Sequence, residues 1–261
     1  MRMANIGCVR SIVTKGPILR GRMPSWYALL LALLALAPMV TAWAEAPSPP
    51  PNADPAFPFA REIEAFAKAN AAQPPVPDAT LFLGSSSIRL WDIAGSFANI
   101  STVNRGFGGA STSDVLRHYA RLLPPAKPRS IVIYVGENDL AAGANPDKVA
   151  DDVLTLLRRL RADYPRAAIA FLSLKPSPIR WTLQPKMAAV NGILAEKAKA
   201  ERFTYLDVGS VLLAPDGLPD ASLFRPDGLH MNAQGYQRWT RLVDAWLDSV
   251  DPKRKRAGKA S

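Results

Sequence analysis

Hydrophobic residues in this chain fall into short unbroken runs separated by longer stretches with apolar positions three and four apart. The runs lie at 80–84, roughly 101–105, 131–135, 168–174 and 203–208. A short apolar run bounded by turn-forming residues predicts a strand buried on both faces. The spaced stretches predict amphipathic helices. One covers 58–71, with Ile63, Phe66 and Ala67 on one face. Another is capped by Ser111 or Thr112 and carries Val115, Leu116, Tyr119, Leu122 and Leu123. A third spans 146–163 with Val149, Val153, Leu156, Leu157 and Leu160, and a fourth spans 184–200. Asn232 caps the last, which runs through 249. Strands alternating with helices predict an α/β three-layer sandwich, its five-stranded parallel sheet covered on both faces. The crevice of such a sheet lies at the carboxyl ends of its strands.

Outside the predicted body, over residues 59–250, the pattern changes. Residues 1–44 hold five basic side chains and no acid, then an uncharged run from Ser25 to Ala44 ending in Ala42-Trp43-Ala44. A basic stretch, an apolar core and a small-x-small exit predict an export signal, with Met23 as an alternative start. Twenty uncharged residues could also span a bilayer as an uncleaved anchor, which would tether the body to the membrane. Both readings place the body outside the cytoplasm, periplasmic or secreted. Residues 45–58 contain six prolines and read as an extended linker. The end, 251–261, is a basic tail.

Charge adds one correction. The net charge of +10 suggests a polyanion partner, but it sits at the ends. Residues 45–250 carry 22 basic and 21 acidic side chains, so the body is nearly neutral and no nucleic acid is expected as a partner. The single cysteine, Cys8, lies upstream of the signal core, so the mature body relies on its core and not on disulfides.

The chemistry gathers at the ends of the runs. Gly84-Ser85-Ser86-Ser87 follows the first. It is not a Gly-x-Ser-x-Gly elbow, because Ile88 occupies the last position. Gly106-Phe107-Gly108-Gly109 follows the second, and it lacks the third glycine and the ribose-binding acid of a dinucleotide site. Gly136-Glu137-Asn138-Asp139 follows the third, with Asn138 a side-chain N–H donor and Glu137 and Asp139 expected to fix the loop. Asp227 and His230, three apart, can face one site from a tight loop or a single helical turn. The other histidine, His118, sits in an amphipathic helix and reads as packing or a solvated face. The loop from Lys175 to Trp181 is expected to border the site, with Trp181 either packing or lining a substrate pocket. No histidine neighbours the acidic pair, so neither a metal nor another cofactor is expected.

Each block alone has an ordinary structural explanation as a cap or a turn. Their order is more specific. Ser, Gly, Asn and an Asp-x-x-His, in that sequence, resemble the four blocks of the SGNH (GDSL-like) hydrolase superfamily over residues 78–248. The resemblance implies a flavodoxin-like sheet and an esterase acting on small-molecule, carbohydrate or lipid esters. It implies Ser86 as nucleophile, His230 as base, Asp227 as its orienting partner, and Ser86, Gly109 and Asn138 as oxyanion donors. Ser85 stands where the family has aspartate, which keeps Ser85 and Ser87 as alternative nucleophiles, and Ala110 replaces another frequent aspartate. Two other functions fit the same residues. One is acyl transfer to a sugar or lipid hydroxyl; the other is a non-catalytic carbohydrate- or lipid-binding domain with a decayed site.

Overall fold

The structure, a computed structural model, describes residues 59–72 and 77–251. The expectations for the signal or anchor, the proline-rich linker and the basic residues after Asp251 lie outside the described residues. Five strands form: β1 (Thr80–Gly84), β2 (Thr102–Gly106), β3 (Ser130–Tyr134), β4 (Ala168–Leu172) and β5 (Thr204–Leu206). They pair in parallel in the order β2-β1-β3-β4-β5. The chain leaves β1 for a neighbour on one side, then crosses to β3 on the other. That reversal opens a crevice beyond the carboxyl ends of β1 and β3.

Both faces are covered, and strand periodicity shows how. Phe82 pairs in register with Val132, and Gly84 with Tyr134, so these share one face. On that face Phe82 packs against Trp91 and Phe97, and Tyr134 against Trp239. The tryptophan comes from α8 (Ala233–Val250), whose N-terminus is capped by Asn232 accepting from the N–H groups of Gln234 and Gly235. Each fully buried large apolar side chain here contributes about 1.5–3 kcal/mol. Leu81, Leu83, Ile131 and Ile133 take the alternate positions and are fully buried. A row of helices supports the domain: α1 (Ala60–Ala72) packs on α4 (Thr112–Leu122), α4 on α6 (Pro146–Asp163), and α6 on α7 (Gln184–Lys197). Of the two expected caps for α4, Ser111 is the one used, in a reciprocal box with Asp114.

β4 and β5 end earlier than their apolar runs predict, at Leu172 and Leu206 instead of 174 and 208. Past Leu172, the side chain of Asn191 takes over the backbone of Leu174, accepting from its N–H at 2.8 Å and donating to its carbonyl at 3.0 Å. Ladder pairing stops there. In β5, the N–H of Val208 turns back to Leu206 and to Ser173 Oγ, so the strand ends at Leu206. Three one-turn helices also form where the sequence predicts only turns or coil: α2 (Ser86–Arg89), α3 (Ile93–Ser96) and α5 (Glu137–Ala141).

Gly84 decides the geometry of the first strand end. A Cβ there would lie 1.9 Å from the Tyr134 carbonyl oxygen, and its φ of +149° is one that glycine adopts freely. With no side chain at 84, β1 presses against the end of β3. The next residues, Ser85 and Ser86, are then delivered directly over the crevice.

Candidate active site

Gly84 ends β1 and Ser85 becomes the N-cap of α2, its N–H bonded to the Tyr134 carbonyl at 3.0 Å. Ser85 and Ser87 are both 3% exposed and face inward, while Ser86 is partly exposed. Ser86 Oγ lies 3.0 Å from His230 Nε2. Of the three serines, it is the one that meets the imidazole.

His230 arrives on a short loop closed by an antiparallel bridge between Phe224 and Met231. Within it, the N–H of Arg225 donates to the His230 carbonyl at 2.7 Å. Asp227 Oδ1 accepts from the N–H groups of Leu229 and His230, both at 2.9 Å, and Oδ2 faces His230 Nδ1 at 2.7 Å. The backbone N–H of His230 does most to hold the Asp227 carboxyl well below its ordinary value. Slight burial opposes it, and the ring of His230 and the N–H of Leu229 add to the lowering. An ionised carboxylate only accepts, so Nδ1 carries the hydrogen and Nε2 turns its lone pair toward Ser86 Oγ. The three-residue spacing is thus realised as a tight loop, not a helical turn.

Three consecutive residues after Gly136 each tie down a different part of the rim. Glu137 is 3% exposed. It accepts from Lys175 Nζ at 3.1 Å, from Arg180 Nη1 at 3.0 Å and from the Tyr134 hydroxyl. Burial pushes its carboxyl up, but Lys175, Tyr134 and Arg180 together outweigh that and leave it below its ordinary value. Asn138 donates from Nδ2 to the Ala110 carbonyl at 2.9 Å and accepts at Oδ1 from Arg180 Nη1 at 3.0 Å. Asp139 accepts the Thr112 N–H at 3.0 Å on each oxygen, which anchors the β2–α4 loop. Glu137 and Asp139 therefore fix loops, as their sequence context suggests.

That β2–α4 loop contains Gly109, with φ +78° and no atom within 4 Å of where a Cβ would stand. Its requirement for glycine is conformational, because the space above it is open. Among the described residues, neither the Gly109 nor the Ser86 backbone N–H has a protein acceptor, and neither has the second Nδ2 hydrogen of Asn138. Unpaired N–H donors of this kind can stabilise negative charge developing on a carbonyl oxygen, and a hydroxyl–imidazole–carboxylate chain can supply a nucleophile.

His118 is placed elsewhere, buried in α4 with its ring at right angles to Phe107, 6.4 Å between centroids. The loop after β4 borders the site, as its position in the sequence suggests, through Lys175 and Arg180. Arg180, not Trp181, reaches the site residues, while Trp181 lines a separate cleft of about 310 Å³ with Met187, Tyr205 and Asp207. The sequence reading missed the roles of Lys175 and Arg180. A signal was present in Lys175, a lone cation directly after a buried strand, but its partner lies 38 residues upstream.

Comparison with known proteins bears on the family and the fold. Residues 89–238 match the GDSL-like Lipase/Acylhydrolase family, a span that takes in Gly109, Asn138, Asp227 and His230 and begins just past Ser86. No curated protein matches. Among solved structures, a Streptococcus pneumonia protein named for platelet activating factor is 22% identical, covers 72% of this chain and 91% of its own, and has a TM-score of 0.65. A GDSL-like lipase from Bacteroides thetaiotaomicron is 19% identical over 72% of this chain and 98% of its own, TM-score 0.59. The OSK domain of Drosophila Oskar is 15% identical over 64% and 87%, TM-score 0.53. At these identities the structures show a shared fold, and the family match shows more: the chain belongs to the GDSL-like lipase/acylhydrolase family of esterase-type hydrolases, within the SGNH hydrolase superfamily.

Proposed function

We propose that this protein is an exported serine esterase that hydrolyses carboxylic esters of short-acyl, acetylated-carbohydrate or lysolipid type. The observation that carries the reading is the unbroken chain Asp227 Oδ2–His230–Ser86 Oγ, with contacts of 2.7 and 3.0 Å. Export rests on the sequence pattern of residues 1–44 alone.

In the proposed reaction Ser86 Oγ attacks the ester carbonyl carbon, and its proton passes to His230 Nε2. The carbonyl π pair moves onto oxygen, facing the N–H groups of Ser86, Gly109 and Asn138 Nδ2. Collapse expels the alkoxide, which takes the proton from Nε2 and leaves an acyl-serine. Water then attacks that ester, giving its proton to Nε2; a second collapse returns the proton to Ser86 Oγ and releases the acid. Asp227 stays ionised throughout and stabilises the imidazolium.

The test is turnover of p-nitrophenyl acetate, acetylated sugars and lysolipids by the mature domain, with fluorophosphonate labelling in parallel. Wild type should turn over at least one ester class and be labelled, and Ser86→Ala should lose both. Undiminished turnover or labelling in Ser86→Ala would remove Ser86 from the mechanism.

A further inference from the structure

An amide side chain works as an oxyanion donor only if its nitrogen, not its oxygen, faces the reacting centre. In Asn138 the two ends have opposite partners. Nδ2 meets the Ala110 carbonyl, which only accepts, and Oδ1 meets the Arg180 guanidinium, which only donates. A flipped amide would set acceptor against acceptor and donor against donor. The Ala110 contact is a neutral one, to a loop carbonyl. The Arg180 contact is charge-assisted, and such bonds are about twice as strong as neutral ones.

Arg180 is itself fixed. The same Nη1 that holds Asn138 also bonds Glu137 Oε1 at 3.0 Å, and Glu137 is buried and doubly held by Lys175 and Tyr134. The backbone of Arg180 is pinned by its N–H to the Ser177 carbonyl at 3.1 Å, and its neighbour Ile179 donates to the Gly228 carbonyl of the Asp227–His230 loop at 3.1 Å. Its side chain is only 20% exposed. An arginine anchored at both ends, with one nitrogen bridging a buried carboxylate and the amide oxygen of Asn138, is built to orient that amide.

We propose that Arg180 is a positioning residue for the oxyanion site: held by Glu137, it fixes the Asn138 amide with its nitrogen toward the reacting carbonyl. The proposal rests on the esterase reading for its effect on rate, though not for its effect on the amide. It also identifies why the position after β4 carries a cation in a site with no acidic substrate group required. The charge acts through Asn138 on the developing oxyanion and not on the substrate at rest.

The expected signature is a loss in kcat with little change in KM. Arg180→Leu should lower kcat about tenfold while KM stays within about twofold, because an interaction expressed only in the transition state is lost. In an Asn138→Ala background the same change should cost less than about twofold, because neighbours acting as one unit are not additive. Arg180→Lys, whose ammonium can still bridge the two oxygens, should recover most of the loss. Additive losses, or a rise in KM alone, would overturn the proposal and make Arg180 a substrate contact. The variant retains the Glu137–Lys175 pair, so it should fold; its thermal transition is measured alongside.

A second readout needs no turnover. The side-chain amide of Asn138, assigned in the ¹⁵N spectrum by its absence from Asn138→Ala, should move and exchange hydrogen faster in Arg180→Leu. Unchanged position and exchange would overturn the proposal even if no ester is hydrolysed. Loss of Ser86-dependent turnover in the wild type would instead overturn the esterase reading, and the amide signal would still decide the role of Arg180.

Discussion

Two loops carry the candidate chemistry, and they are built on opposite plans. The Asp227–His230 loop holds its catalytic-type side chains locally, although Ile179 and Lys175 donate to its Gly228 and Leu229 carbonyls. Asp227 bonds its own backbone two and three residues on, and its carboxyl is 46% exposed. The Gly136–Asp139 turn is distributed. Its three polar residues reach Ala110, Thr112, Lys175 and Arg180, and Glu137 and Asp139 are buried. In the first loop chemistry and folding are separable. In the second the same residues serve both, so a change there should register in stability as well as rate.

The sharpest test of that division is His230→Ala. Loss of the proposed base should reduce kcat by on the order of 10⁴-fold or more. The thermal midpoint should stay near wild type, because the ring is a partly exposed loop group whose backbone bonds survive the change. A large fall in midpoint would show that the histidine loop also supports the fold, and the comparison would collapse.

Glu137→Gln should do the reverse. It leaves Lys175, 0% exposed, without a counter-charge, and breaking a buried pair from one side typically costs about 3–5 kcal/mol. Chemical denaturation should show that loss. Adding Lys175→Met to Glu137→Gln should restore much of it, because the fully buried ammonium is then gone and only the partly exposed Arg180 lacks a counter-charge. If the double variant is less stable than either single one, the ion pair is not the source of the cost.

Asn138→Ala tests the turn from the chemical side. Removing one oxyanion donor typically costs about 2.7–4 kcal/mol, so kcat should fall on the order of a hundredfold or more. KM should barely change. A KM effect of similar size would mean that Asn138 binds the substrate ground state.

Acidification should also separate the loops. The Asp227 carboxyl is held below its ordinary value, chiefly by the N–H of His230. A carboxyl lowered on folding contributes stability above its unfolded value and loses it as pH falls through its folded value. Asp227 thus keeps its charge across the whole range in which an imidazole ionises. The acid limb of kcat/KM should follow a single ionisation, and Asp227→Asn should cut kcat by on the order of 10⁴-fold while lowering neutral-pH stability only by the small part that an exposed, solvent-screened carboxylate contributes. Two ionisations in the acid limb of the wild type would show that the carboxyl titrates with the ring.

The same contrast explains what was legible in the sequence. The Asp227-x-x-His230 pair reads directly, because every contact that defines it spans three residues or fewer. The alternation of runs and spaced helices gives the five parallel strands, because burial on two faces imposes composition on each strand separately. Local pattern does not decide whether Ser85, Ser86 or Ser87 meets the imidazole; only the family resemblance selects Ser86. The contact depends on the register of a one-turn helix, set by how closely Gly84 approaches the Tyr134 carbonyl across the sheet. Arg180 was hidden for the same reason: its partners Glu137 and Asn138 lie 43 and 42 residues upstream, and nothing in its own neighbourhood marks it. The ends of β4 and β5 shifted because side chains of Asn191 and Ser173 capture backbone groups that periodicity assigns to the ladder.

Gly109 offers the smallest and most discriminating break between backbone and side-chain roles. With φ +78° and open space at its Cβ position, alanine would meet no neighbour, so any penalty is conformational. A left-handed non-glycine residue costs roughly 1–2 kcal/mol. If that cost is borne without local rearrangement, Gly109→Ala should lower stability by about this amount while the backbone N–H stays in place and kcat falls only a few-fold. If the loop instead relaxes to a negative φ, stability should be nearly kept and the N–H should swing away, with a kcat loss closer to that of Asn138→Ala. The strong hold of Asp139 on the Thr112 N–H, two bonds of 3.0 Å, favours the first outcome, since it fixes the loop three residues beyond the substitution. Pairing Gly109→Ala with Asp139→Asn, which weakens that hold, should therefore convert the first pattern into the second.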